Sequence, residues 1–464
     1  MEDKTLYTVT DLGPGDGGKG GVVHKLCTFP GAHTVIKVGG AQGGHGVKTS
    51  RGQSGVFSQM GCGTFEGLRT HISKLFVIEP YRFIHEANIL KYESGVSNVY
   101  DLVTVDEDAL CITPFHSISS KLKELARGDK PKGTVGIGGG EALKDAEQYP
   151  ELAIYAKDCN ASTLRARLEA VRTMKRVELR PIVELVQKFP DTDRMIASQQ
   201  LELLNDDDFV NRIVLEFNKF ASLVKIVDLE YLKRDILGQE GKVIVESSHG
   251  VLTDRYVGFH PHTSYLKTLP SNTLQMINEC GYDGRMVKLG ISRAYQVRHG
   301  AGPLVTESPE MLPHMLPDSS KDDNRWQGKI RIGPLDAVAL RYAIAACGGP
   351  QFFDALAITW FDQVKVMGDW KLCTSYTNAT DPSFFTEHGD MKLFTGKPED
   401  CFSRQQKLGE LLQQCTPNIV SHNLLDYADD GAIAELCAQQ LMEQLKVPVR
   451  MVSFGPTEDD KMLL

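Results

Sequence analysis

The stretch Thr8–Leu26, TVTDLGPGDGGKGGVVHKL, runs from an apolar segment into a glycine-rich turn and on into a helix-like segment. Strand, glycine loop and helix in that order open an α/β protein with a central, mostly parallel sheet and nucleotide-binding loops of the phosphate-loop type. From Gly13 to Lys19 the text fits the start of G-x-x-x-x-G-K-S/T, with two departures. Gly20 stands where the pattern has a magnesium-holding hydroxyl, and Asp16 puts a carboxylate into a loop suited to anions. A carboxylate among phosphates is repelled unless a divalent cation lies between them. Asp16 is therefore expected to be a Mg²⁺ ligand, a base beside the ion, or both. Gly15, Gly17, Gly18 and Gly20 offer backbone N–H groups to a nucleotide phosphate, and Lys19 a point charge.

Further apolar runs, HTVIKVGG, KVIVESSHG, VKLGISRAY, DALAITWFD and VPVRMVSFG, read as buried strands of the same sheet. Several end in glycine-rich or polar turns, as strands that deliver ligand-binding loops do. Between about 150 and 240 the spacing of apolar residues becomes helical, in STLRARLEAVRTMKRVELRPIVELVQKF and again from Asn211 to Leu237. This is expected to be a helical excursion within a single domain spanning 1–464. The polar, proline-bearing text from about 308 to 333 is expected to be a mobile ligand loop.

Two more glycine-rich loops follow. VIKVGGAQGGHGVKT presents His45 on a bed of glycines, a candidate general acid or electrophile because its ordinary pKa lies near neutrality. KPKGTVGIGGGEAL offers Thr134 and a string of amides. Three such loops in the first 140 residues point to two phosphate-bearing ligands. A formal net charge of −9 argues against bulk nucleic-acid binding but leaves room for a locally positive site. No run approaches the roughly 18 apolar residues of a membrane span. Ten scattered cysteines without a C-x-x-C pair suggest reduced thiols and a cytoplasmic setting.

GPGDGGKGGVVHKL resembles the G-D-E-G-K-G-K loop of the adenylosuccinate synthetases, and GGAQGGHG that family's G-G-x-N-A-G-H-T. KGTVGIGGG, VIVESSHGVLTDRYVGFHPHTS, YQVRHGAGPLVTE, IGPLDAVALRYA, TWFD and SFGPTEDDKM are similar to later motifs of the family, in its order, as far as Met462. The resemblance implies a ligase that joins L-aspartate to C6 of a 6-oxopurine nucleotide through a 6-phosphoryl intermediate. By it, Asp16 removes the N1 proton and binds Mg²⁺ with the Gly44 carbonyl, and His45 stabilises the transferring group. Gln42, Thr134, His249 and Thr263 would meet the acceptor nucleotide, while Asp362, Ser453, Gly455 and Pro456 would line the donor base. A homodimer is the family's habit.

The departures matter as much. The family's run of four arginines is reduced to GKIRIG, leaving Lys329 and Arg331 for aspartate and ribose. Lysine lacks the bidentate fork of arginine. Trp360 replaces the lysine of T-K-L-D, Val135 a threonine, and an arginine lent by a neighbouring subunit has no counterpart. The acceptor is expected to be IMP, with GTP or else ATP or dATP as donor. The alternatives are a phage-type ligase of dGMP and a silent nucleotide-binding paralogue.

Overall fold

A computed structural model describes residues 4–311 and 325–464. The six apolar runs marked in the sequence all lie in one 11-stranded sheet. From edge to edge its order is Lys461–Leu463, Val449–Ser453, Ala355–Thr359, Arg285–Arg293, Thr5–Asp11, Lys242–Ser247, Ala32–Gly40, Arg69–Ile78, Val103–Asp106 and Lys225–Val227, with the short Leu110–Cys111 also on Arg69–Ile78. Every pairing is parallel except the last at one edge, between Val449–Ser453 and Lys461–Leu463. Parallel strands buried on both faces read as continuous apolar runs, and successive side chains point to opposite sides. Val35 accordingly packs with Val9 and Ile244 in one core, while Ile36 packs with Leu6, Val243 and Val245 in another.

The catalytic-type loops leave the carboxyl ends of three neighbouring strands, Thr5–Asp11, Lys242–Ser247 and Ala32–Gly40. The helices Leu164–Val183, Asp191–Asn205 and Phe209–Leu223 pack beside the Val9 core through Leu168, Val171, Ala197, Ile213 and Phe217. A second, four-stranded sheet is built from Tyr295–His299, Ile330–Asp336, Asp369–Thr377 and Thr416–Asn423. The stretch expected to be a loop from about 308 to 333 is only partly one. Residues 312–324 lie outside the described residues, whereas from Ile330 the chain is a strand paired antiparallel with Tyr295–His299. The buried Ile330 and Ile332 alternate there with Arg331, so the apolar period selects a strand. No described helix is long and apolar enough to cross a membrane, and all ten cysteines are free.

Candidate active site

Three non-glycine residues hold left-handed backbone in this one region: Asp16 (φ 57°), His249 (φ 65°) and Trp360 (φ 64°). Such conformations carry strain and cluster at functional sites. Close backbone approach draws their loops together. Gly18 (φ 81°) lies where a Cβ would come within 2.8 Å of Thr359 Oγ1, and a Cβ on Gly20 would strike the carbonyl of Gly46, next to His45. The Leu252 amide bonds to the Gly13 carbonyl at 3.1 Å, which ties the loop of His249 to that of Asp16. The loops of Asp16, His45 and His249 thus form one site, with Thr359–Trp360 at its edge.

Asp16 keeps 45 % of its side chain exposed although the loops crowd it. Crowding works to raise its pKa. The hydrogen bond from His299, whose Nε2 lies 3.0 Å from Oδ2, and the charges of Arg293 and Lys19 outweigh it and hold the carboxyl well below the usual range. Arg293 also donates from Nε to the Asp16 carbonyl and stacks on Trp360, its guanidinium carbon 4.3 Å from the ring centroid.

His45 is buried, and its Nδ1 lies 2.5 Å from Glu246 Oε1. Glu246 also receives Lys37 Nζ at 2.7 Å and the Cys62 amide at 2.9 Å. Lys37 and Glu246 face each other in register on adjacent parallel strands. Burial, though opposed by Glu246, lowers the pKa of His45, with Lys37 and Lys19 adding to the effect. Glu246 itself is held ionised, because Lys37 and His45 overcome its burial. The ring therefore donates from Nδ1 to the carboxylate and turns a free Nε2 toward the bed of glycines, 3.9 Å from where a Cβ of Gly43 would lie. Glu246, Cys62 and His45 are grouped closely enough to suggest a metal site, but the Lys37 ammonium already balances that carboxylate.

Lys19 is buried and donates to Asp11 Oδ2 at 2.6 Å and to the His249 carbonyl at 2.9 Å. Asp11 also takes the Gly13 and Gly17 amides, both at 2.9 Å. Two loop amides thus serve the loop's own carboxylate, which leaves Gly18, Gly20 and the start of the helix Lys19–Cys27 to meet a phosphate. His249 has its pKa brought down to about 4, chiefly by burial and then by Lys19, so its ring is neutral at physiological pH.

Gln42, on the second glycine loop, reaches toward the third. Its buried Oε1 has no hydrogen-bond partner among the described residues and lies 2.7 Å from where a Cβ of Gly139 would stand. Thr134 sits 3.2 Å from Ser120 through their hydroxyls and takes the Gly136 amide at 3.3 Å. Thr263 is buried beside His262, whose pKa is lowered by burial and then by the charge of Arg298. Lys132 and Arg331 add to that field, so the Thr134 and Thr263 segments border one electropositive region.

At the end expected to meet the donor base, Asp362 lies in the first turn of the helix Phe361–Met367 and takes Gln363 Nε2 at 3.0 Å. Ser453 donates to the Gly455 carbonyl at 2.9 Å. The Gly455, Pro456 and Thr457 carbonyls all face Lys461 Nζ, at 3.4, 3.4 and 2.6 Å, and burial pushes that lysine down to about 8. Glu458 reaches back to the hairpin that begins at His45, accepting from Ser50 Oγ at 2.6 Å.

Arg331 differs from its expected part. Its guanidinium donates to the Gly300 and Gly302 carbonyls at 2.9 and 2.6 Å and to Glu307 at 2.7 Å, closing its own turn. Lys329 is exposed.

The family model for adenylosuccinate synthetase matches residues 9–462. The chain belongs to the adenylosuccinate synthetase family. The enzyme of Chlorobium chlorochromatii is 29 % identical over 464 residues, covering 96 % of this chain and 94 % of that protein. That of Myxococcus xanthus is 26 % identical over 456 residues, with 97 % and 96 % covered. Among solved structures, the fully ligated adenylosuccinate synthetase of Plasmodium falciparum superposes with a TM-score of 0.73 at 16 % identity, over 99 % of both chains. The succinoaminodeoxyadenylate synthetase of cyanophage S-2L, bound to dGMP and dATP, gives 0.55 at 15 % identity, over 99 % of this chain and 95 % of that one. Like its family, this adenylosuccinate synthetase relative is a carbon–nitrogen ligase.

Sequence reasoning missed Asp11, Lys37, Glu246, Arg293, His299 and Lys461. For two of them a signal was present. A lysine inside VIKV and a glutamate inside VIVES are opposite charges in two apolar strands, and such charges are buried only when paired.

Proposed function

We propose that this ligase joins the amine of L-aspartate to C6 of IMP, with a nucleoside triphosphate as phosphoryl donor, giving adenylosuccinate. The observation that carries this reading is the pair of Asp16 and His45. The first is an ionised, half-open carboxylate in a glycine loop; the second is an imidazole backed by a buried carboxylate, on a loop that packs against it.

The chemistry needs both. A purine carbonyl oxygen is a poor leaving group. Asp16 takes the N1 proton, and the freed electron pair moves to O6, which attacks the γ-phosphorus and displaces the nucleoside diphosphate, whose bridging oxygen leaves with the P–O electron pair. The aspartate amine then adds at C6 and sheds a proton, while phosphate departs with the C–O electron pair. A carboxylate held ionised is ready to accept a proton but is a weak base. It serves here because charge leaving N1 is taken up at O6 as the phosphoryl group arrives. Neutral His45 is drawn toward protonation by phosphate charge, and Glu246 stabilises the resulting imidazolium, so Nε2 donates to the transferring group.

The Asp16 carboxylate and the Gly44 carbonyl are hard oxygen donors that suit Mg²⁺. His299 occupies one carboxylate oxygen, and the other has no hydrogen bond to the described residues. Bound there, the ion would neutralise phosphate charge during transfer. Lys19, Gly18 and Gly20 hold donor phosphates in this reading; Thr134, Thr263 and Gln42 face the acceptor, and neutral His249 its base.

A second reading, dGMP as acceptor with ATP or dATP, draws support from Arg331. A guanidinium closed on its own turn does not read a ribose hydroxyl, and Trp360, which stands where the family has a lysine, changes the wall that would meet a guanine donor. The test is turnover with Mg²⁺ and L-aspartate, crossing IMP, dIMP, GMP and dGMP with GTP, ATP and dATP, followed by product mass. Aspartylated IMP is the expected product. Aspartylated dGMP alone would transfer the case to the second reading, and bound nucleotide without turnover for any pair would overturn both.

A further inference from the structure

A cavity of 240 Å³ lies beneath the site, between the carboxyl ends of the central strands and the first turn of the helix Pro270–Glu279. None of the residues assigned above to phosphates, base or aspartate lines it. Its floor carries Thr8, which is 3 % exposed and whose buried Oγ1 has no hydrogen-bond partner among the described residues. Buried hydroxyls in folded proteins are nearly always satisfied, so an orphaned one in a cavity wall marks a place where a small side-chain rotation would meet a ligand's polar atom.

The helix above adds a second, independent feature. Leu269 at its N-cap gives no side-chain acceptor, and its first turn holds no acid. Its first residue, Pro270, has no N–H, so the amides left to meet an anion are those of Ser271 and Asn272, with the positive end of the helix dipole behind them. Lys74, Arg255 and Lys267 also border the cavity, against one acid, Glu147. Lys74 pairs with Glu279 and Arg255 with Glu147. Lys267 has no ion pair among the described residues. The remaining walls are apolar, including Val38, Val245, Leu143 and Leu266.

We propose that this cavity is an effector site for a small organic anion with an apolar body, such as a phosphomonoester carrying one ring. The anionic group meets the helix amides and Lys267, and the ring lies against Val38 and Leu143. The volume is below the roughly 300 Å³ at which drug-sized pockets begin, which limits the ligand to a small metabolite. The wall shared with the active site is Ser248. Its hydroxyl accepts from the Gly40 amide at 2.8 Å and lies 3.1 Å from His249 Nδ1. Occupancy bears directly on the residues that lead into the His45 loop and on His249. Binding stands apart from the reaction proposed above; only the effect on turnover rests on it.

Phenyl phosphate is the probe, with inorganic phosphate as the control for the ring, both followed by calorimetry on the full chain. Wild type and Lys19→Ala are expected to bind one phenyl phosphate alike, since the catalytic loop is not involved. Lys267→Glu should weaken binding about 10-fold or more, the reversed charge costing at least ~1.4 kcal/mol. Leu143→Trp should abolish it by filling the cavity, with thermal melting to establish that the variant is folded; if it is not, Thr8→Val, which loses only the hydroxyl, takes its place and should weaken binding. Saturating probe should change kcat in the wild type and leave that of Lys267→Glu unchanged. Binding that is lost in Lys19→Ala yet survives in Lys267→Glu would overturn the site. So would inorganic phosphate that binds as tightly as the probe, or the absence of any binding to the wild type.

Discussion

Behind His45, Lys37 and Glu246 pair inside the sheet with side-chain exposures of 1 % and 0 %, whereas at the turn 300–302 Arg331 keeps 23 % of its side chain exposed and pairs with a Glu307 that is 37 % exposed. The first pair is set by the register of two parallel strands, and neither charge is tolerated there without the other. The second lies on a strand end and a loop, where an arginine is exchanged at little cost to the fold. The region behind His45 is thus locked into the core, and the turn held by Arg331 is free to drift. In the function proposed above, that contrast sets phosphoryl transfer apart from substrate selection.

Several substitutions would break or sharpen the contrast. Asp16→Asn keeps the loop's shape and removes the base, and kcat in a steady-state ligase assay should fall by about 10³-fold or more. A loss under tenfold would mean that another group takes the N1 proton. Glu246→Gln should lower kcat by roughly 10²-fold by leaving the His45 imidazolium unsupported. It should also destabilise the fold by about 3–5 kcal/mol in urea unfolding, because Lys37 is left buried without its carboxylate. Equal stability in wild type and variant would remove the claim that this region is locked.

Arg331→Lys tests the other region. The charge remains but the fork that holds the Gly300 and Gly302 carbonyls does not. The expected result is a loss of about 1–2 kcal/mol with the KM for aspartate within about threefold of wild type. A tenfold rise in that KM without a stability change would instead put the guanidinium on the substrate.

Asp336, on the same strand as Arg331, gives the smallest effect and isolates what Lys37 does for Glu246. Both acids are buried, but Asp336 has a tyrosine hydroxyl and a helix amide as partners where Glu246 has a cation. Burial pushes Asp336 up to about 6. Between the unfolded value of 3.8 and that value, the native state holds a proton the unfolded chain has released. Stability should therefore fall as pH rises through this window. Asp336→Asn keeps one oxygen to accept from the Ala339 amide, turns an NH2 donor toward the Tyr376 hydroxyl oxygen, and should flatten the fall in a series of thermal melts from pH 4 to 6.

Much of this was written in the chain. Six short runs rich in β-branched and other apolar residues, several ending in glycine-rich or polar turns, pointed to one buried sheet, and a glycine loop carrying Asp16 and Lys19 pointed to phosphate chemistry. The strand Arg69–Ile78 was harder to see, since THISKLF alternates polar and apolar residues as a half-exposed strand would. Arg331 sits in an apolar alternation too, but the surrounding proline-bearing text hid its strand.

Local text fixes which backbone can form a tight loop and which face of a strand is apolar, because both depend on neighbours in sequence. It does not fix partners. His299 reaches Asp16 across 283 positions, as 299 less 16, and Lys37 meets Glu246 across 209. The second arises only when parallel strands distant in sequence are laid side by side in one register, and the first only when the strand Tyr295–His299 of the other sheet ends beside the Asp16 loop. The sequence by itself determined the family's class of chemistry and named Asp16, Lys19 and His45 as candidates for it. The tertiary structure decided their charge states, because a pKa is set by what lies within a few ångströms in space, and so decided that Asp16 is ionised, His249 neutral and Arg331 occupied with its own turn.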